Sequence, residues 1–252
     1  MPQVERSPHA QVPTPIGAVA VSQPAKVTVS SLMRGPYAAA VPVTLTFDNG
    51  PAPGTTERVL DVLDDRDLKA TFFVVGSMLR RPGARELAER AVAEGHWIGN
   101  HSMTHATPLG HDADPAYALA EIEGAQALLG GLVHERRFFR PFGLGGAIGS
   151  HLLSPAAVDV LCAGAYTCVL WNSVPRDWED LTGWVDTARR DVEQLDHAVV
   201  VLHDLPTGAM DALPAFLDAL DRDAVEVVQA FPPSVVPIER GAVVDIDGMV
   251  GA

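Results

Sequence analysis

A chain of 252 residues suits one large α/β barrel or two small domains, and 47% hydrophobic residues allow a sizeable core and exclude global disorder. No apolar run reaches the length of about 18 residues that marks a membrane-spanning helix. The 18 Lys and Arg residues stand against 32 Asp and Glu, a formal net charge of -14, which argues against a nucleic-acid backbone or an anionic membrane surface as partner.

Residues 1–40 hold six of the twenty prolines and show little periodicity, so they read as an extended N-terminal arm. Such an arm is able to lie against a neighbouring copy, which leaves a homo-oligomer open. Pro13, Pro15, Ser22 and Gln23 interrupt its only mildly apolar part, and no basic start precedes it. That is unlike a secretory signal, and a cytoplasmic protein is expected. Residues 41–252 read as one domain.

There the pattern alternates strand and helix. Val43 to Phe47 reads as a buried strand, and Val59, Leu60 and Leu63 recur at helical spacing behind an N-cap at Thr55 or Thr56. Ala70 to Val75 is a second strand. A helix from Ala84 to Glu94 stops at Gly95, a suitable C-cap. Trp97 to His101 gives a third strand, residues 117–129 a helix, and Arg137 to Arg140 a fourth strand. Ser154-Pro155 sets an N-cap before a proline at the first helical position, and Thr167 to Trp171 follows as a strand. The only cysteines, Cys162 and Cys168, have no zinc-site spacing and read as two reduced, buried thiols rather than a disulfide. A helix from Trp184 to Gln194, a strand from Ala198 to Leu202, a helix over 209–220 and a strand from Val225 to Val228 complete about seven strand–helix units. This favours a parallel, closed or nearly closed barrel over an open doubly wound sheet. No glycine-rich nucleotide loop follows the first strand.

In parallel α/β folds, reactive groups gather at the C-terminal ends of strands. Those ends carry Asp48-Asn49-Gly50-Pro51, His101-Ser102-Met103-Thr104-His105, Arg140-Pro141-Phe142-Gly143, Asp177-Trp178 and Leu202-His203-Asp204. His101 and His105 are spaced to converge on one metal ion. Asp48 is able to act as a general base on water and His203 to protonate a leaving amine. Asp177 suits the orientation of such a histidine, and Arg140 suits a charge-assisted pair with Asp48. Trp178 suits the wall of a sugar-binding groove. Each residue alone fits a plainer role equally well: a turn aspartate, a core histidine, a structural ion pair.

Together the segments resemble the five motifs of the NodB homology domain, the carbohydrate esterase family 4 deacetylases. Thr46-Phe47-Asp48-Asn49-Gly50-Pro51 resembles T-F-D-D-G-P. His101 to His105 matches H-S-x-x-H, and Arg140-Pro141-Phe142-Gly143 is similar to R-x-P-Y-G. Asp177-Trp178 matches the end of D-x-x-D-W, and Leu202-His203 is similar to L-x-H, one residue shorter. The order agrees, and the resemblance runs from about Val41 to His203. It implies a distorted (β/α)7 barrel and a hydrolase that removes an amide-linked acyl group by metal-assisted attack of water. Asp48 would be the base, His203 the acid tuned by Asp177, and Arg140 the residue that steadies Asp48. His101 and His105 would bind a divalent cation, most often zinc, with position 49 as the third ligand. Phe142 and Leu202 would border the acyl group, and a backbone N–H near Phe142 would help hold the oxyanion.

Two departures stand out. The family's second aspartate is Asn49 here, so the metal is expected to be held weakly, exchanged for another, or dispensed with. The third motif is one residue shorter and carries Phe142 in place of tyrosine. The expected substrate is an N-acetylated amino sugar or another small acylamine. Two competing readings are a catalytically weakened sugar- or amide-binding protein and a metal-independent hydrolase of a ring amide or ureide.

Overall fold

The computed structural model describes residues 41–251, so the expected arm over residues 1–40 lies outside the described residues. The strands are β1 (Pro42–Asp48), β2 (Thr71–Val74), β3 (Trp97–Asn100), β4 (Phe138–Phe139), β5 (Thr167–Cys168), β6 (Ala198–His203), β7 (Glu226–Val227), β8 (Ile238–Glu239) and β9 (Ala242–Val243). The helices are α1 (Thr56–Asp64), α2 (Ala84–Ala93), α3 (Pro115–Leu129), α4 (Pro155–Ala163), α5 (Trp184–Gln194) and α6 (Leu213–Arg222).

Among the described residues these strands form one sheet in the order β6-β1-β2-β3-β4-β5-β8-β9, with β7 paired to the start of β1. β1 to β7 pair in parallel. The ring is drawn together at one place. Past β5 the chain reaches β6 through Ser173, whose N–H donates to the Val199 carbonyl at 3.2 Å and whose carbonyl accepts from Val201 N–H at 3.0 Å. The result is a distorted α/β barrel.

Two features differ from the sequence reading. The fifth strand stops at Cys168, because Leu170 N–H turns away to the carbonyl of Val235. β8 and β9 then extend the sheet antiparallel on that side. These two-residue strands follow a proline-punctuated stretch and are too short to show any period.

Alternation along β1 divides the interior. Val43, Leu45 and Phe47 join a core with Val59, Leu60 and Leu63 of α1 and Phe216 and Leu217 of α6. At about 1.5–3 kcal/mol for each fully buried aliphatic or aromatic side chain, this face fixes the strand's register. Thr44, Thr46 and Asp48 take the opposite face, buried as well but hydrogen-bonded. β6 divides the same way. Ala198, Val200 and Leu202 face the helices, and Val199 and Val201 face the second core.

Helix starts follow the side-chain chemistry. Asp114 accepts from Ala116 N–H at 2.9 Å before Pro115, and Ser154 accepts from Ala157 N–H at 3.2 Å before Pro155. Thr55 precedes α1 without a side-chain cap. The hydroxyl of Thr56 accepts from Ala52 N–H at 2.8 Å and donates to Asp204 Oδ2 at 2.6 Å. Cys162 and Cys168 are free thiols, but only Cys168 is buried as expected; Cys162 is half-buried. Among the described residues no helix is long and apolar enough to cross a membrane.

Candidate active site

A cavity of about 340 Å³ opens where the parallel strands end. Asp48, Asn49, His101, His105, Phe142, Trp178 and His203 all line it. Asp48 and His203, far apart in the chain, are direct register partners at the last positions of β1 and β6. The sheet therefore fixes their separation.

Each of the two has a buried partner. Arg140 is fully buried just past β4, and its Nη1 donates to Asp48 Oδ1 at 2.8 Å and to Thr46 Oγ1 at 2.7 Å. Its remaining donors reach the carbonyls of Val169 at 3.3 Å and Leu170 at 3.0 Å. Burial lowers the guanidinium pKa while Asp48 pulls it back up. Across the cavity Asp177, also fully buried, accepts from His203 Nδ1–H at 2.8 Å and from His203 N–H at 3.0 Å. Burial alone would lower the His203 pKa. The Asp177 hydrogen bond, and the charges of Asp177, Asp48 and Asp204, outweigh it and raise the pKa above 6.5. The edge of Trp178 meets the His203 ring at 4.9 Å.

The histidine pair sits on a loop rather than a helix. Ser102 and His105 both take left-handed backbone angles, with φ of 64° and 54°. The two ring centroids lie 4.7 Å apart. His101 Nδ1 is 2.8 Å from the Arg140 carbonyl, which only accepts, so the ring proton lies on Nδ1 and Nε2 keeps a free lone pair facing Asp48 Oδ2 at 3.6 Å. Burial pushes both imidazoles down to about 3, so they are neutral at ordinary pH, the form that binds a cation. Phe142 packs against His105 with the rings tilted by 34° and their centroids 3.9 Å apart. Asn49 has φ 76°, and its Oδ1 is buried without a hydrogen-bond partner among the described residues.

These contacts bring every residue singled out from sequence except Leu202 to the cavity wall or, for Arg140 and Asp177, directly behind it. Pro141 lies beside Arg140 on the wall. Phe142 lines the cavity as expected. Leu202 does not. It points to the helix side of β6 and is buried in that core, because strand alternation gives the cavity to its neighbours Val201 and His203.

Four residues to which sequence reasoning gave no role also shape the site. Thr46 is two positions before Asp48, on the same face of β1, and shares the Arg140 fork. Trp171 lines the cavity and lies so close to Gly143 that a Cβ there would be 2.2 Å from the indole ring. Asp204 lies against Gly50, where a Cβ would fall 2.1 Å from Oδ2. Burial raises the Asp204 pKa to about 6, and its Oδ1 has no hydrogen-bond partner. Glu121 grips the histidine loop from α3. A lone carboxylate in the apolar stripe Ala118, Ile122, Ala125 and Leu129 was the available signal for it.

The comparisons with known proteins agree with this geometry. Residues 38–145 match the polysaccharide deacetylase family model. The chain is 33% identical over 177 residues to a chitooligosaccharide deacetylase of Bradyrhizobium sp., a match covering 64% of this chain and 70% of that protein. This chain belongs to the polysaccharide deacetylase family. It is also 30% identical over 187 residues to a peptidoglycan-N-acetylmuramic acid deacetylase of Bacillus subtilis, covering 74% of this chain but only 37% of that longer protein. Among solved structures, a family 4 carbohydrate esterase from Streptomyces lividans in complex with acetate superposes with a TM-score of 0.64 at 25% identity, covering 82% of this chain and 99% of that one. Membership makes the chain a hydrolase of carbon–nitrogen bonds other than peptide bonds, and it confirms the distorted barrel.

Proposed function

We propose that this deacetylase removes the acyl group from an N-acetylated amino sugar or a small acylamine, with a divalent cation assisting the attack of water. The observation that carries the reading is the register pair Asp48–His203 facing one cavity, each member tied to its own buried, charged partner. A pure binding protein has no use for a paired base and acid, which sets aside the binder alternative.

The residues fit a divalent cation. His101 Nε2 has a free lone pair, His105 lies beside it, and the buried Asn49 Oδ1 has no partner among the described residues. No group of three His, Cys, Asp or Glu side chains placed for an ion occurs among the described residues, so the third donor would be the neutral amide. Two imidazoles and one oxygen suit zinc best, held more weakly than by a carboxylate. Bound there, such a cation would polarise the acyl carbonyl and make water more acidic.

The chain's own groups account for the proton transfers. Asp48, aimed by its hydrogen bond from Arg140, takes a proton from the attacking water. The N–H groups of the segment at Phe142 are the donors proposed for the developing oxyanion. His203 is held by Asp177 with Nε2 turned to the cavity, and it protonates the departing nitrogen. Trp171, Trp178, Val174 and Val201 supply apolar walls for the sugar ring and acyl methyl.

The test is release of acetate and free amine from N-acetylated chitooligosaccharides and small N-acetyl and N-formyl amines, after chelation and after re-addition of Zn²⁺ or Co²⁺. Metal-dependent release is expected. Full activity after exhaustive chelation would favour the metal-independent reading. No release from any of these amides, with metal present, would overturn the assignment.

A further inference from the structure

We propose that Glu121, on α3 and outside all five sequence motifs, is the positioning residue that sets the separation of His101 and His105. This rests on the reading that the histidine pair holds a cation.

The loop between the two histidines is an unfavourable backbone. Two of its five residues, Ser102 and His105, are non-glycine residues in the left-handed region. Something must fasten it, and its N–H groups show what does. His101 N–H belongs to the sheet, donating to the Val74 carbonyl at 2.9 Å. Ser102 N–H donates to Asn100 Oδ1 at 2.9 Å, and His105 N–H donates to Ser102 Oγ at 3.1 Å. The remaining two both go to one side chain. Met103 and Thr104 N–H donate to Glu121 Oε2 at 3.1 and 3.0 Å, and Thr104 Oγ1 donates to Glu121 Oε1 at 2.7 Å.

Glu121 is thus the one anchor of these central N–H groups from outside the loop. It is itself only 4% exposed. Its helix is fixed to the same strand end, because Asn100 Nδ2 donates to the Ile122 carbonyl at 2.8 Å. The loop carbonyls are fastened from another direction, Ser102 to Gly76 N–H and Met103 to Ser77 N–H, both at 2.9 Å. Those bonds fix the loop's height above the sheet. The carboxylate bonds fix the turn between the rings, and hence how the two imidazoles face each other. With a neutral amide as third donor, such preorganisation carries more of the affinity than it would beside a charged ligand.

The experiment titrates Co²⁺ alone into the purified wild-type, Glu121→Leu, Glu121→Gln and Thr104→Val proteins, following visible absorption, with thermal unfolding measured on each. Glu121→Leu should weaken Co²⁺ by about 10- to 100-fold, the usual effect of removing a group that orients a metal ligand. Glu121→Gln should restore most of the loss. Its one carbonyl oxygen accepts both N–H groups, and its amide donates to the Thr104 hydroxyl. Thr104→Val, which loses the hydroxyl's bond to Glu121 and the longer one it accepts from Ala106 N–H at 3.3 Å and keeps the fold even if the leucine variant does not, should weaken binding about two- to tenfold. Unchanged Co²⁺ affinity in folded Glu121→Leu, or no rescue by glutamine and no effect of Thr104→Val, overturns the proposal.

If the wild type takes up no Co²⁺, the cation part of the proposed function fails by itself. The imidazole ¹H–¹⁵N resonances of His101 and His105 then decide. Glu121→Leu should move both while leaving those of His203 in place, and unmoved His101 and His105 signals overturn the positioning role.

Discussion

The two halves of the cavity are fastened in different ways. On the β1–β6 side every group that moves a proton has a buried counter-charge at hydrogen-bonding distance: Arg140 for Asp48, Asp177 for His203. On the β3 side the groups are neutral. The two uncharged imidazoles share the cavity wall with the Asn49 carboxamide, whose Oδ1 has no partner among the described residues, and the loop that carries them is held by hydrogen bonds from its backbone to Glu121. The acid–base half has the charged partners that proton transfer calls for, while the half proposed for the cation offers a neutral amide at position 49, where the family resemblance places an aspartate. On the proposed reading, the difference assigns Asn49 to metal affinity and leaves the proton transfers to Asp48 and His203.

The sharpest way to break this comparison is to strike the proton-transfer half. Asp48→Asn keeps size and fold but cannot take a proton from water, and His203→Gln cannot donate one to the leaving nitrogen. Each should lower kcat by about 10²–10⁴-fold, the usual contribution of a general acid or base, in steady-state release of acetate. If either variant turns over like the wild type, that residue leaves the mechanism. Arg140→Met tests the same half through stability. It removes one partner of a pair that is buried on both sides, leaving Asp48 without a counter-charge. Thermal or urea unfolding should show a loss of about 3–5 kcal/mol. A loss under about 1 kcal/mol, the range of surface pairs, would mean that Asp48 is solvated in a way the structure does not show.

Asn49→Asp sharpens the comparison from the other side. It restores a charge to the cation half without touching Asp48 or His203. Zn²⁺ or Co²⁺ affinity, measured by calorimetry, should rise by about one to two orders of magnitude, or about 1.4–2.8 kcal/mol. At saturating metal, kcat should change far less than the affinity. If the variant gains activity that the natural chain lacks even at saturating metal, the binding-protein reading returns.

Both halves are legible in the sequence, though only in part. The barrel can be read because apolar strands and amphipathic helices alternate about seven times, with caps at helix starts such as Ser154-Pro155. Asp48, His101, His105 and His203 can be read because each ends a strand in a short motif. What cannot be read depends on register and on depth. Its place beside His203 assigns Leu202 to the cavity, but one step along a strand reverses the face. Thr46 and Asp204 act through partners on other strands and helices, which no local pattern shows. β8 and β9 are two residues long, below the length at which periodicity exists.

The smallest expected effect concerns the pH profile, and it separates the two halves again. His203 is raised above 6.5 only because Asp177 and the neighbouring carboxylates outweigh burial. As the acid it works when protonated, so activity is present below its folded pKa and is lost as pH rises through it. The linked stability has the same sign: present below the unfolded value, lost as pH climbs through the raised folded one. Asp177 accepts two donors, the imidazole Nδ1–H and the His203 backbone N–H. A carboxamide in its place has one oxygen to offer, so one of those donors must face an NH₂ group. In Asp177→Asn both the charge and one bond are lost, burial then dominates, and the alkaline limb of kcat should move to lower pH. Metal affinity at the His101–His105 pair should stay as it was. An alkaline limb that does not move would assign it to a group other than His203, and a parallel loss of metal affinity would mean that the two halves are mechanically one.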